Sequence, residues 1–292
     1  MTNREISDWI RNWMNEHPNC NELNSMYEDF ISYSGLFADI GALTRLIYKL
    51  NPLNHMTYIP DGMFYKCDYD EVIIPNHIKS IGDSAFEDCL NLTDIIIPES
   101  VTSIGESAFD YCHSLKSITI PDSVTWIGVG AFRGCFRLTS VTISNNVTSI
   151  EKNTFIGCTS LTSISISNSV TSIGKNAFNG CTCLTSVTIP DSVKSIGHSA
   201  FKGCTTLTNI TIPDSVTSIG DWAFYECFTL MSMTMGDSVT SIGEYAFCEC
   251  SILTSINYTG TKSQWKAIHK DNFWNAHSGI KYINCSDGTI EL

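Results

Sequence analysis

The sequence of 292 residues is short of basic side chains, with 17 Lys and Arg against 30 Asp and Glu and a formal net charge of −13. Nucleic acids and anionic membranes require Lys and Arg to neutralise phosphate, so the deficit argues against both as the main partner. The excess negative charge keeps the protein soluble. No run approaches the roughly 20 apolar residues of a membrane-spanning helix, so no membrane insertion is expected. The N-terminal stretch holds Arg4, Glu5, Asp8 and Arg11 with no unbroken apolar run. No secretory signal is readable there, which taken alone points to a cytoplasmic location. Catalytic motifs are missing as well. There is no phosphate-binding loop, dinucleotide fingerprint or Gly-x-Ser-x-Gly elbow. His17, His55, His77, His113, His198, His269 and His277 stand at no recognised spacing from a Cys, Ser or carboxylate, and His113 and His198 are expected to be exposed. Cys181 with Cys183 and Cys248 with Cys250 are the closest thiol pairs, and no second pair completes a four-ligand site. The expectation is a protein with no enzymatic activity, no cofactor and no metal.

What the sequence has in abundance is repetition. Phe64, Phe86, Phe109, Phe132, Phe155, Phe178, Phe201, Phe224 and Phe247 each stand three residues before a Cys, the first two separated by 22 residues and the rest by 23. A fixed period of this length is the mark of a solenoid, in which each repeat packs only on its neighbours. Counting from each Cys, apolar residues recur at +3 (Leu), +6 and +8 (Ile or Val), +12 (Val), +15 (Ile) and +20 (Phe). Alternation at +5 to +8 predicts a strand with +6 and +8 facing in. Pro-Asp-Ser, as in Pro213-Asp214-Ser215, predicts a turn. Val-Thr-Ser-Ile predicts a short return strand, and the Gly at +16 a tight corner. Ala-Phe-x-x-Cys has room for about one helical turn. Stacked in register, such coils form a parallel sheet with inner columns of Leu, Ile, Val and Phe.

The cysteines follow the same logic. The sequence has 13, an odd number and a poor match to a disulfide framework. Eight of them, from Cys89 to Cys250, occupy one repeat position. In-register side chains lie parallel, which suits neither the dihedral nor the Cβ approach of a disulfide. They are expected to be reduced, buried and weakly donating through S–H.

The ends do not repeat. Residues 1–55 carry three helical patterns, broken at Pro18, Ser34-Gly35 and Asn51-Pro52. They are expected to form either a helical cap on the first coil or a docking module using Trp9 and Trp13. The solenoid is expected over residues 56–258, in about nine coils. Residues 259–292 are expected to form a C-terminal cap: a short helix with Trp265 and Ile268 facing in, then a hairpin turning at Ser286-Asp287-Gly288. The fold class is thus an α/β repeat solenoid, mostly β with short helical turns.

The unit Cys-x-x-Leu-x-x-Ile-x-Ile-Pro-x-x-Val-x-x-Ile-Gly-x-x-Ala-Phe resembles the BspA-like leucine-rich repeat family over about Ile59 to Tyr258, and Tyr258-Thr-Gly-Thr with Gln264-Trp265 and Cys285-Ser-Asp-Gly288 resembles its common ending. The resemblance implies a curved leucine-rich repeat solenoid. It also implies a non-enzymatic role in adhesion at a cell surface against a protein partner. An intracellular scaffold or effector, and a virion-associated binding protein, are the alternatives left by the unreadable signal. Oligomeric state is left open.

Two surfaces are candidates for that partner. The outward +7 column includes Thr119, Thr142, Thr188 and Thr211, a flat hydroxyl-rich strip that also reads as plain solvated strand. The second is the set of aromatics that break the repeat: Trp126, and above all Trp222, Tyr225, Phe228 and Tyr245 in two neighbouring coils. Aromatic residues are favoured interface anchors. Packing against the C-terminal segment is the competing reading. Early coils concentrate acid at Asp83, Glu87, Asp88, Asp94, Glu99, Glu106 and Asp110, expected to be a solvated face or a site for a basic partner or cation.

Overall fold

A computed structural model describes residues 56–292; the helical expectations for residues 1–55, and with them Trp9 and Trp13, lie outside this range. The described chain is a right-through stack of coils. Each coil contributes a strand of three or four residues to one parallel ladder, whose hydrogen bonding falls into three successive sheets, and a strand of two residues to another, which falls into two. In the first ladder Ser163–Ser165 lies between Ser140–Thr142 and Ser186–Thr188, with Ile164 beside both Val141 and Val187. In the second, Ser172–Ile173 lies between Ser149–Ile150 and Ser195–Ile196. Every such step is one sequence period, so the repeat and the register are the same fact.

The inward residues build the core. The +6 and +8 side chains are buried, as are the Leu, Val, Ile and Cys columns. At the centre the nine Phe rings, from Phe64 to Phe247, stack face to face. Adjacent centroids lie 5.0 to 5.6 Å apart, with planes within 13° of parallel. Offset-parallel rings at such separations are attractive beyond the area they bury. The thiols behave as the sequence suggested. All those among the described residues are free, and each ladder thiol from Cys89 to Cys250 donates to a Phe carbonyl of the preceding coil at 3.0 to 3.3 Å. Burial pushes Cys158 and Cys250 up to about 12, so these sulfurs are neutral and unreactive.

Polar residues at the rim repeat for a backbone reason. Thr162, Thr185 and Thr208 each donate a hydroxyl hydrogen bond to the carbonyl of the matching residue one coil earlier. Thr125, Thr171 and Thr240 do the same beside the second ladder. Thr here joins β-branched strand preference to an acceptor-seeking hydroxyl.

Two local expectations are corrected. The Gly at +16 does not supply a left-handed corner. It is needed because the coils touch there: a Cβ on Gly197 would lie 2.7 Å from the carbonyl carbon of Gly174 in the preceding coil, and one on Gly128 would lie 2.5 Å from the Glu106 nitrogen. Nor does Ala-Phe-x-x-Cys form a helical turn. The residues two before and two after each Phe have left-handed φ, as at Asn176 (55°) and Gly180 (75°) around Phe178. The N–H groups therefore alternate. The Phe178 N–H crosses to the Ala200 carbonyl of the next coil, whereas the Asn179 N–H turns back to Asn176. Inter-coil hydrogen bonding wins over the helix because it satisfies groups that one isolated helical turn would leave open.

The ladders continue past Tyr258, where the sequence period stops. His269–Lys270 pairs in parallel with Ser241–Ile242, and Tyr282–Cys285 with the strand Ser255–Tyr258. Between Ser255–Tyr258 and His269–Lys270 lies the helix Lys262–Ala267, held by a capping box of Thr261 and Gln264. Gly288–Glu291 returns antiparallel to Tyr282–Cys285. The buried Trp265 and the ring of Trp274 close the Phe column: Trp274 meets Phe247 edge-on at 6.0 Å and Trp265 at 5.9 Å.

Candidate functional site

The turns around Ala-Phe-x-x-Cys stack into a ridge beside the Phe column. Because the residues two before and two after Phe have left-handed φ in every coil, side chains at these positions are not dictated by the core. In the middle coils they are small: Gly130, Asn153, Asn176 and Ser199 on one side, Gly134, Gly157, Gly180 and Gly203 on the other. In the last coils the first row becomes Trp222, Tyr245 and Phe273, and the second Glu226, Glu249 and His277. A left-handed backbone is costly for large side chains, by about 1 kcal/mol or more per residue. The last coils bear a cost that the middle coils lessen with Gly and Asn.

These large residues gather. Trp222 lies 4.8 Å, centroid to centroid, from both Tyr225 and Tyr245, and Tyr245 stacks on Phe273 at 5.4 Å within 11° of parallel. Lys202, from the coil before, places its ammonium 5.0 Å from the Trp222 ring centre and 4.8 Å from that of Tyr225. Trp222 is consequently half-buried, where the sequence suggested an exposed ring. Carboxylates surround the group. Asp221 accepts the Glu244 N–H at 3.0 Å and stands 3.8 Å from His198. Burial pushes the Tyr225 phenol up, and the nearby Glu226 and Glu249 carboxylates add to the shift.

The other candidates fall elsewhere. Phe228 is exposed, and no ring contact joins it to the group. Trp126 is exposed in the second ladder, paired with Ser103, where the neighbouring coils carry Ser. Thr119, Thr142, Thr188 and Thr211 are exposed in one column of the first ladder. Thr188 and Thr211 line a groove of about 470 Å³ together with Asp191, Asn209, Asp214 and Thr259; Thr119 and Thr142 lie outside it. Sequence reasoning missed Phe273, because the helix Lys262–Ala267 moves it off the 23-residue period.

The early acidic coils hold a correction. Asp110 is fully buried rather than solvated, and its carboxylate takes a two-pronged ion pair from Arg133, one residue after Phe in the next coil. Burial pushes the Asp110 carboxyl up and Arg133 opposes it. Arg133 also lies 5.2 Å from the Tyr111 ring centre. The ring of Tyr111 rests on Gly134, where an added Cβ would meet it at 2.7 Å. His113 is half-buried against Phe136 at 4.5 Å, not exposed. Among the described residues no group of three His, Cys, Asp or Glu is placed to hold a metal, and no helix is long and apolar enough to cross a membrane.

Comparison with known proteins agrees with this architecture. The BspA-type leucine-rich repeat region matches in six copies over residues 57–185 and 171–292. A leucine-rich cell surface protein from Faecalibacterium prausnitzii A2-165 is 33% identical, with a TM-score of 0.50 over 74% of this chain and 67% of its own. The leucine-rich repeat protein of T. pallidum is 29% identical, with a TM-score of 0.49 over 64% of this chain and 84% of its own. No curated protein matches the sequence. The repeat, its register and the family match agree: this chain belongs to the BspA-type leucine-rich repeat family.

Proposed function

We propose that this protein is a non-enzymatic adhesion protein that acts at a cell surface and binds a protein partner on the end of its turn ridge, through Trp222, Tyr225 and Tyr245 joined by Phe273. The observation that carries the reading is the change in the ridge. Where the fold asks only for Gly, Asn or Ser, the last coils place three aromatic rings at left-handed positions. Backbone cost retained at a surface without benefit to the core supports a role in recognition. The likeness to a cell surface protein of F. prausnitzii supports the location. Residues 259–292 serve in this reading as a cap of the stack.

The location is tested by labelling intact producing cells with a membrane-impermeant reagent. Recovery of labelled protein is expected, and its absence from the surface would remove adhesion. The surface is tested by the double substitution Trp222→Ala/Tyr225→Ala, screened against an array of surface and matrix proteins. Loss of the partner bound by the wild type is expected. One observation favours an intracellular scaffold instead: the whole Cys ladder is reduced. Those thiols are buried and inert, however, and would stay reduced in either compartment.

A further inference from the structure

The ridge shows what its rings attract. Lys66 lies over Tyr65, Arg133 over Tyr111, and Lys202 over both Trp222 and Tyr225, each 4.8 to 5.2 Å from a ring centre. These cations come from the residue one or two after Phe, set against rings of the same or a neighbouring turn. Moving along the ridge, the position of Lys202 becomes Tyr225 and then Cys248. Tyr245 and Phe273 therefore receive no cation from within the described residues, and Phe273 is 60% exposed. The local charge changes in the same place. The residues preceding the left-handed row are Lys152 and Lys175 in the middle coils, and Asp221 and Glu244 in the last coils. The second left-handed row changes from Gly157, Gly180 and Gly203 to Glu226 and Glu249. Aromatic faces and carboxylates together suit a guanidinium or ammonium, which gains ring attraction and charge pairing at once. An aliphatic or acidic partner gains neither.

Building on the docking surface proposed above, we propose that the Tyr245–Phe273 end of the ridge binds an arginine- or lysine-bearing segment of the protein partner, its cation lying against the Phe273 ring within the carboxylates Glu244 and Glu249. Lys202 is the resident cation of the same ridge and occupies the neighbouring ring pair.

The test uses the full chain and a fluorescent Arg-Gly-Ser repeat peptide, with a counterpart in which citrulline replaces arginine. The arginine peptide binds and the citrulline peptide does not. Phe273→Leu weakens binding about 2- to 30-fold, the range for losing a cation–ring contact. Glu244→Gln/Glu249→Gln also weakens it, whereas Lys202→Ala tightens it by freeing Trp222 and Tyr225. Equal binding of both peptides, or arginine binding that Phe273→Leu leaves unchanged, would overturn the assignment, the second result marking attraction to net charge alone. A neutral protein partner, bound independently of salt and lost in Trp222→Ala/Tyr225→Ala, would overturn the cationic assignment while leaving the docking surface standing. Phe273 is exposed and outside the Phe column, so its substitution leaves the coils folded, as an unchanged melting curve would verify.

Discussion

The middle and the end of the turn ridge share one backbone and carry different side chains. Around Phe178 the left-handed positions are Asn176 and Gly180; around Phe224 they are Trp222 and Glu226. The φ angles at the Asn176 and Trp222 positions are 55° and 59°. The coil's shape therefore does not demand the larger residues. The middle coils show what the fold needs, and the end shows what has been added to it. Subtracting one from the other separates what the coil requires from what is proposed to serve recognition inside a single chain, without reference to any second protein.

Several substitutions break or sharpen this contrast. The largest effect belongs to the core that both regions share. Phe178→Ala removes a ring stacked on both faces and should cost about 3–5 kcal/mol in urea unfolding. A cost comparable to that of a surface change would mean the Phe column is not the spine. Next is Arg133→Ala, which leaves the Asp110 carboxyl buried without its partner. It should cost about 2 kcal/mol, a reduced figure because Arg133 is itself partly exposed. A neutral result would show that Asp110 becomes hydrated when the guanidinium leaves.

The thiol ladder gives a pH dependence. Burial raises the thiols above the ordinary range, to about 12 for Cys158 and Cys250. The unfolded chain ionises first as pH rises, so their stabilising contribution is whole below about pH 8.5 and falls by about 1.4 kcal/mol per pH unit per thiol above it. Unfolding at pH 8 and pH 10 should show this decline, and Cys158→Ala should lessen it by one thiol's share. A pH-independent midpoint over that range would refute the assignment of the thiols as neutral donors.

The smallest effects address the ridge directly. Gly180→Ala places a Cβ at a φ of 75° and should cost about 1 kcal/mol. Glu226→Gly relieves the same strain and should gain about 0.5 kcal/mol, part of the relief being offset by a more flexible unfolded chain. Calorimetry on the pair gives opposite signs if the end of the ridge bears a cost the middle lessens, and equal signs if it does not.

Most of the fold was legible in the sequence because the 23-residue period is also the register of both ladders. Ile164 beside Val187 is a structural statement of two residues one period apart. The turn was not legible. Ala-Phe-x-x-Cys has the length of a helical turn, and only inter-coil hydrogen bonds, such as Phe178 to Ala200, select the left-handed alternative. The corner Gly was correctly seen as required, but the requirement comes from the neighbouring coil's backbone, which one repeat read alone does not contain. At the candidate site, Trp222, Tyr225 and Tyr245 stood out by breaking the period and do meet. Phe228 breaks it too and stays apart. Phe273 was hidden because the helix Lys262–Ala267 shifts its numbering, and Asp110 looked like surface because its partner is a full coil away.

The most direct measurement compares two matched double substitutions on the same ridge: Trp222→Ala/Tyr225→Ala at the end and Asn176→Ala/Asn179→Ala in the middle. Both are applied to the array of surface and matrix proteins, with melting curves recorded alongside. The end pair should abolish capture of the wild-type partner while the middle pair leaves it intact, with both proteins still folded. Equal capture by both, or loss only from the middle pair, would contradict the account.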